Sequence, residues 1–348
     1  MKRTIAALLM IVMVVALCGC GAKEEKKGAP RKEITKPTIG ICFDTFVVER
    51  WIKDRDIFTT TATELGANVE VLNANSDAQK QREQVQHCID EGVDALVIVA
   101  VDATVIKDLL EEARSKGIKI IAYDRFISDA CVDLYVSFDN TEVGKLMAQA
   151  INDKLGDGRK NVLMICGAES DKNVAMVNSG FEQVAKTCGF NIVDKTFIEG
   201  WRAENVDTYF QQNPGVLKDI DAVMCGNDNL AGKVVQILAE NRMAGEVAVT
   251  GQDADLEACQ RIVEGTQLMT VYKPIEALAE KAAEMTIDLI NGRELNGIPK
   301  IDNGYEECPY VTLQQSSVTK ENMDEVIIES GFYLKEDVYL NVEVTPNN

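Results

Sequence analysis

Between Thr38 and Lys273 the chain repeats one unit, a short β-rich run, apolar throughout in most copies, followed by a helical stretch of about 12 to 15 residues. Ten runs carry the pattern: TIGICFD (38–44), NVEVLNA (68–74), DALVIVA (94–100), IKIIAYD (118–124), DLYVSFD (133–139), NVLMICG (161–167), NIVDKTFI (191–198), DAVMCGND (221–228), EVAVTGQD (246–253) and QLMTVYK (267–273). Helical patterns such as 107–116 and 231–239 lie between them. Strands apolar on both faces belong to parallel sheets covered by helices on both sides. Ten are too many for one small sheet, so the fold class predicted is α/β, with two doubly wound parallel-sheet domains.

The ends of these runs carry the functional signal. Asp44, Asp124-Arg125, Asp139-Asn140, Asn227-Asp228, Asp253 and Lys273 all fall at or just past the carboxyl end of an apolar run. Ligands of open α/β sheets bind along that edge. A single Asp or Asn there reads first as a helix cap or turn residue. Their recurrence in both halves, together with Arg and Lys, which do not cap helix N-termini, points to a polar cleft between two domains. Asp, Asn and Arg can each grip two neighbouring hydroxyls. The two tryptophans, Trp51 in Glu49-Arg50-Trp51 and Trp201 in Gly200-Trp201-Arg202, offer aromatic faces for the C–H side of a sugar ring. Together these features describe a neutral polyhydroxylated ligand.

Other chemistries are disfavoured. Acidic residues outnumber basic ones 56 to 36, a net charge of -20, which opposes nucleic acid as a partner. No glycine-rich phosphate loop and no G-x-S-x-G elbow occurs. The one histidine, His87, lies in a helical pattern (QREQVQHCIDEG) and reads as a surface residue, not a base or metal ligand. No D-x-[DN]-x-[DN]-G calcium loop is evident. We therefore expect no catalysis, no cofactor and no metal. Where a sugar-responsive repressor would carry a helix-turn-helix, this chain has a targeting segment.

That segment opens with Lys2 and Arg3, runs through 13 apolar residues (5–17), and ends in Leu17-Cys18-Gly19-Cys20. It is too short to span a bilayer, for which about 20 residues are needed, and reads as a lipoprotein signal peptide (1–19), with Cys20 the lipidated residue. Residues 20–37 (through GAKEEKKGAPRKEITKP) are rich in charge, Gly and Pro, and read as a flexible tether. The expected location is the extracellular face of a cell membrane, with the lipid as the only membrane contact. Beyond these, eight scattered cysteines show no C-x-x-C and no metal spacing; several lie in apolar runs, where a free thiol behaves as a small hydrophobe.

Five stretches carry a family resemblance: Glu49-Arg50-Trp51 through Lys53-Asp54-Arg55-Asp56 to Phe58, Ala122-Tyr123-Asp124-Arg125, Ser137 to Asn140, Gly251-Gln252-Asp253-Ala254-Asp255, and Gly265 to Pro274. From about Thr38 to Phe332 the chain resembles the type I periplasmic sugar-binding proteins, most closely the D-xylose-binding branch that serves bacterial ABC importers. The resemblance implies two lobes joined by three crossovers and closing on the sugar, with 38–140 plus 275–306 in one lobe and 141–272 plus 307–345 in the other. It implies sugar contacts from Arg50, Trp51, Asp124 and Arg125 on the first lobe. Asn173, Asp171, Trp201, Asn227, Asp253 and Lys273 would supply the rest, with Asp44 touching the sugar or holding a neighbour. The implied partners are a monosaccharide, D-xylose before glucose or ribose, and an ABC permease; the lipobox departs from the free periplasmic form and points to a Gram-positive surface lipoprotein. The alternative partner is a sensor histidine kinase ectodomain that reads the closed form, with transport the favoured role. The protein is expected to be a monomer.

Overall fold

The computed structural model describes residues 36–48 and 50–342. The signal peptide, Cys20 and nearly all of the tether therefore lie outside the described residues. All ten expected strands form. They are β1 (Thr38–Phe43), β2 (Asn68–Asn73), β3 (Ala95–Ile98), β4 (Lys119–Tyr123), β5 (Leu134–Phe138), β6 (Asn161–Cys166), β7 (Asn191–Phe197), β8 (Ala222–Cys225), β9 (Ala248–Gln252) and β10 (Met269–Tyr272). Three more follow: β11 (Lys300–Asp302), β12 (Glu307–Leu313) and β13 (Ser316–Val318).

The strands make two sheets, ordered β11-β12-β5-β4-β3-β1-β2 and β13-β10-β9-β8-β6-β7. Within each, neighbours are parallel except at the end pairs β11–β12 and β10–β13. Central strands such as β3 and β8 are buried along their whole length, as continuous apolar runs require. Among the described residues nine helices connect or cover them: α1 (Arg50–Glu64), α2 (Ala78–Glu91), α3 (Lys107–Ser115), α4 (Asn140–Leu155), α5 (Lys172–Cys188), α6 (Glu204–Gln212), α7 (Asp228–Glu240), α8 (Leu256–Glu264) and α9 (Ile275–Ile290). On the first sheet α1 pairs with α9 and α2 with α3; on the second α4 pairs with α5 and α7 with α8. The chain crosses between lobes three times, at 138–140, 272–275 and 313–316.

The third crossing corrects the sequence division, which assigned 307–345 to the second lobe. Residues 307–313 are β12, paired in parallel with β5 from Tyr310 opposite Tyr135 to Leu313 opposite Phe138. The Tyr310 ring stacks on Tyr135 at 4.8 Å, and its hydroxyl donates to the Phe138 carbonyl. This strand is mostly half-buried and contains Pro309, so it lacks the continuous apolar signature of the central strands. After β13 a five-residue π-turn (Asp324–Ile328) and a short helix, α10 (Lys335–Val338), pack on α8 and β13 of the second lobe. From this segment Phe332 and Tyr333 reach Lys53 of α1: its Nζ lies 4.6 and 4.3 Å from the two ring centres and donates to Tyr333 Oη at 3.2 Å.

His87 is on α2 and exposed, with Nε2 3.0 Å from Glu70 Oε1. The eight cysteines beyond the leader are free thiols, seven of them buried. The α4–α5 crossing depends on glycine. A Cβ at Gly144 would fall on the Val177 carbonyl oxygen, and one at Gly180 on that of Thr141. We expect Gly144→Val to force these helices apart and to destabilise the fold by about 1–3 kcal/mol or more, measured as a lowered denaturation midpoint. Unchanged stability would mean the crossing tolerates a wider spacing.

Candidate functional site

Because the strands within each lobe are almost all parallel, their carboxyl ends share one edge, and the two lobes turn those edges toward each other. One cavity there is lined by Arg50, Trp51, Asp124, Arg125, Asn140, Asp171, Asn173, Trp201, Asn227, Asp253 and Lys273 among its polar and aromatic residues. Ten of the eleven residues singled out from sequence thus come together. The exception is Asp44, which lies outside this cavity and holds Arg125, its Oδ2 2.7 Å from Nη1.

Each side chain is delivered by a strand end or a helix start. Arg50 and Trp51 open α1, and the guanidinium sits 4.3 Å from the Trp51 ring centre. Asp124 and Arg125 follow β4. Asp124 has φ 60°, a left-handed backbone that a residue with Cβ adopts only when its surroundings fix it. They do so here: the Asp124 amide donates to the Val136 carbonyl, and its own carbonyl accepts from Ser137 Oγ and Asn173 Nδ2. Asp171 caps α5 by accepting from the Asn173 amide, and Asn227 caps α7 by accepting from the Leu230 amide. Capping and pocket lining, alternatives at the level of sequence, coincide in both residues. Trp201 lies in a short 3₁₀ turn (Glu199–Trp201) with φ 57°, its ring laid against Gly167 so closely that a Cβ there would overlap it. Asp253 (φ 97°) follows β9 and Lys273 follows β10.

Ion pairs cross the cleft and close it. Arg50 meets Asp54 at 3.2 Å and Asp124 at 2.9 Å on its own lobe, and Asp253 of the other at 3.5 Å. Arg125 reaches Asp171 at 3.0 Å, and the Phe126 amide donates to Asn173 Oδ1 at 3.1 Å. Lys273 Nζ lies 3.1 Å from Asp253. All these side chains are buried. Burial works to raise the Asp253 carboxyl, but Lys273 and Arg50 outweigh it and hold the group below the usual carboxylate range. Asp54 and Asp171 are pushed up by burial despite their arginine partners. Asp54 also accepts from the Tyr123 hydroxyl, which fixes Arg50 from behind.

Asn140, Asn178 and Gln252 line the cavity too and were not singled out as contacts. Asn140 was visible at a strand end. Asn178 is mid-helix and Gln252 is inside β9, so neither has a local signal. The buried Nε1 atoms of Trp51 and Trp201, Asn178 Oδ1 and Gln252 Oε1 have no hydrogen-bond partner among the described residues. Val48, Val174, Val177, Met224 and the two indoles add apolar wall. Donors and acceptors of both kinds, set among apolar faces, suit a compact neutral molecule whose hydroxyls can each give and receive a hydrogen bond.

The family model of the periplasmic binding protein domain matches residues 39–294 of this chain. The chain is 38% identical over 305 residues to the D-xylose-binding periplasmic protein of Escherichia coli K12, covering 86% of this chain and 92% of that one. To the protein of the same name from Haemophilus influenzae it is 37% identical over 306 residues, covering 86% and 92%. The solved carbohydrate transporter solute-binding protein of Chloroflexus aurantiacus, in complex with D-glucose, superposes with a TM-score of 0.79 at 26% identity, over 87% of this chain and 98% of that one. These relatives bind solutes for transport and are not enzymes. The chain belongs to the periplasmic binding protein family, in its type I, ABC sugar-binding branch.

Proposed function

We propose that this protein is a cell-surface lipoprotein that binds one monosaccharide, D-xylose, between its lobes and delivers it to an ABC permease. The observation that carries the reading is the ring of buried polar groups at the closed cleft, contributed by both lobes and interleaved with two indole faces. In this reading Arg50, Arg125, Lys273 and the asparagine amides donate to sugar hydroxyls, and Asp124, Asp171 and Asp253 accept. Trp51 and Trp201 cover the ring's C–H faces. Sugar stabilises the closed arrangement because it satisfies groups from both lobes at once, and a permease then recognises that arrangement. The choice of xylose rests on the two xylose-binding relatives; the glucose held by the Chloroflexus structure makes glucose the competing ligand. One added hydroxymethyl group is worth roughly 1–3 kcal/mol of discrimination in a fitted pocket.

A melting titration against D-xylose, D-glucose, D-ribose, L-arabinose and D-galactose tests the assignment. D-Xylose at 100 times its Kd should stabilise the protein by about 2.7 kcal/mol; no shift with any of the five would refute the sugar reading. Trp201→Ala should weaken binding at least tenfold, about 1.4 kcal/mol. Because this ring also packs on Gly167, Trp201→Phe is the companion variant: it keeps an aromatic face and should bind better than the alanine. Unaltered affinity in both would place the ring in the core alone. For the anchor, Cys20→Ala should remove the diacylglycerol mass from the N-terminal peptide and release the protein from the membrane fraction. A wild-type chain that carries no lipid at Cys20 would remove the anchor from the proposal.

A further inference from the structure

Asn227 and Asp253, two walls of the cavity, are joined beneath it by a residue that does not line it. Asp228 is the first residue of α7 and 1% exposed. Its Oδ2 accepts from Thr270 Oγ1 at 2.6 Å and from the Asp255 amide at 3.1 Å, and its Oδ1 accepts from Gln267 Nε2 at 2.8 Å. Thr270 Oγ1 in turn accepts from the Ala254 amide at 3.1 Å. Two consecutive backbone N–H groups, at 254 and 255, are therefore tied to one carboxylate, directly or through one hydroxyl. They close the turn in which Asp253 (φ 97°) and Ala254 (φ 53°) both hold left-handed backbone. Such conformations persist only where neighbouring groups enforce them. The contact is tight: a Cβ at Gly251 would fall on Asp228 Oδ1. Arg261 completes the frame, donating from Nη2 to the Asp228 carbonyl and from Nε to Gln267 Oε1.

We propose that Asp228 is a positioning residue for the sugar site: its carboxylate sets the turn that aims Asp253 into the cavity, so a group that never touches ligand governs affinity. This inference rests on the sugar-binding reading of that cavity. The carboxylate accepts three donors; once protonated it is a weaker acceptor, and the turn it holds loosens. Burial pushes this group up to about 7, against Thr270 and Arg261, which pull it down. The titratable groups around it are Asp253 and Asp255 of the turn, Cys259 and Arg261 of α8, and Cys225 of β8. Stability and affinity then move in opposite directions. A carboxyl raised above its ordinary 3.8 binds its proton more tightly in the folded protein. Its contribution to stability is complete below that ordinary value and is lost as pH rises through about 7. Affinity needs the ionised form and rises over the same interval.

Two measurements on the full chain test this. Calorimetric titration with D-xylose between pH 5.5 and 8.5 should show Kd rising about tenfold from pH 8 to pH 6 in wild type. Asp228→Asn should bind at least tenfold more weakly at pH 8, with a flat profile. Amide hydrogen exchange without sugar reads the turn directly: protection of Ala254 and Asp255 should fall at least tenfold in Asp228→Asn. Should that variant not fold, Thr270→Val replaces it, with Thr270→Ser expected to restore both protection and affinity. Protection retained at 254 and 255, or wild-type affinity in a folded variant, overturns the proposal. A protein that binds no sugar yet loses protection in Asp228→Asn refutes the sugar reading and the claim on affinity, and leaves the turn assignment standing.

Discussion

The Arg50 guanidinium carries its charge where almost no water reaches, and three carboxylates make that arrangement stable: Asp54 one turn along its helix, Asp124 beside β4 and Asp253 from the other lobe. Desolvating an ion costs several kcal/mol unless its hydrogen-bonding capacity is met. The third partner exists only while the lobes are together. Closure is thus tied to completing the solvation of buried charge, and the same holds for Arg125, which finds Asp44 on its own side and Asp171 across the cleft. A ligand that supplies hydroxyls to these groups competes with water for the same role, which is why a cleft lined with ions can select a neutral molecule.

The positions of these charges follow from the direction of the strands. Parallel strands in each lobe send their carboxyl ends to one edge, and the residue after each strand becomes either a cap for the next helix or a wall of the cavity. Asp171 and Asn227 serve as both. Asp124, Trp201 and Asp253 instead turn through left-handed backbone to leave the strand direction. Asp124 and the turn after Asp253 are held by hydrogen bonds from neighbouring segments, and Trp201 by the packing of its ring on Gly167.

Much of this was legible in the sequence, for physical reasons. Strands buried on both faces are continuous apolar runs, so the eight inner ones were visible, as were the polar residues that end them; the edge strands β2 and β7 are half-buried or exposed and showed as β-rich runs in step with the repeat. The later strands were not: β11 and β13 are three-residue pieces at sheet ends, and β12 is mostly half-buried, fixed by its pairing with β5 about 170 residues earlier. Asn178 and Gln252 reach the cavity only because helix and strand are packed as they are; nothing near them in the chain marks that. Asp54 shows the intermediate case, since its spacing of four from Arg50 puts both on one face of a helix, while its bond to Tyr123 is a fact of the tertiary structure. Asp44 was given two roles in the sequence; it lies outside the cleft cavity and pairs with Arg125.

The path of the chain after residue 300 has a consequence for how the molecule is made. The first sheet lacks β12 until 313 is available, the second lacks β13 until 318, and the aromatic pair that grips Lys53 comes later still, at 332 and 333. A chain emerging from its N-terminus therefore has neither lobe complete through most of its synthesis. The final segment finishes both sheets and adds a fastening between the lobes, so a product cut short near 300 would carry every cavity residue and two of the three crossings and still lack β12, β13 and the aromatic pair that grips Lys53.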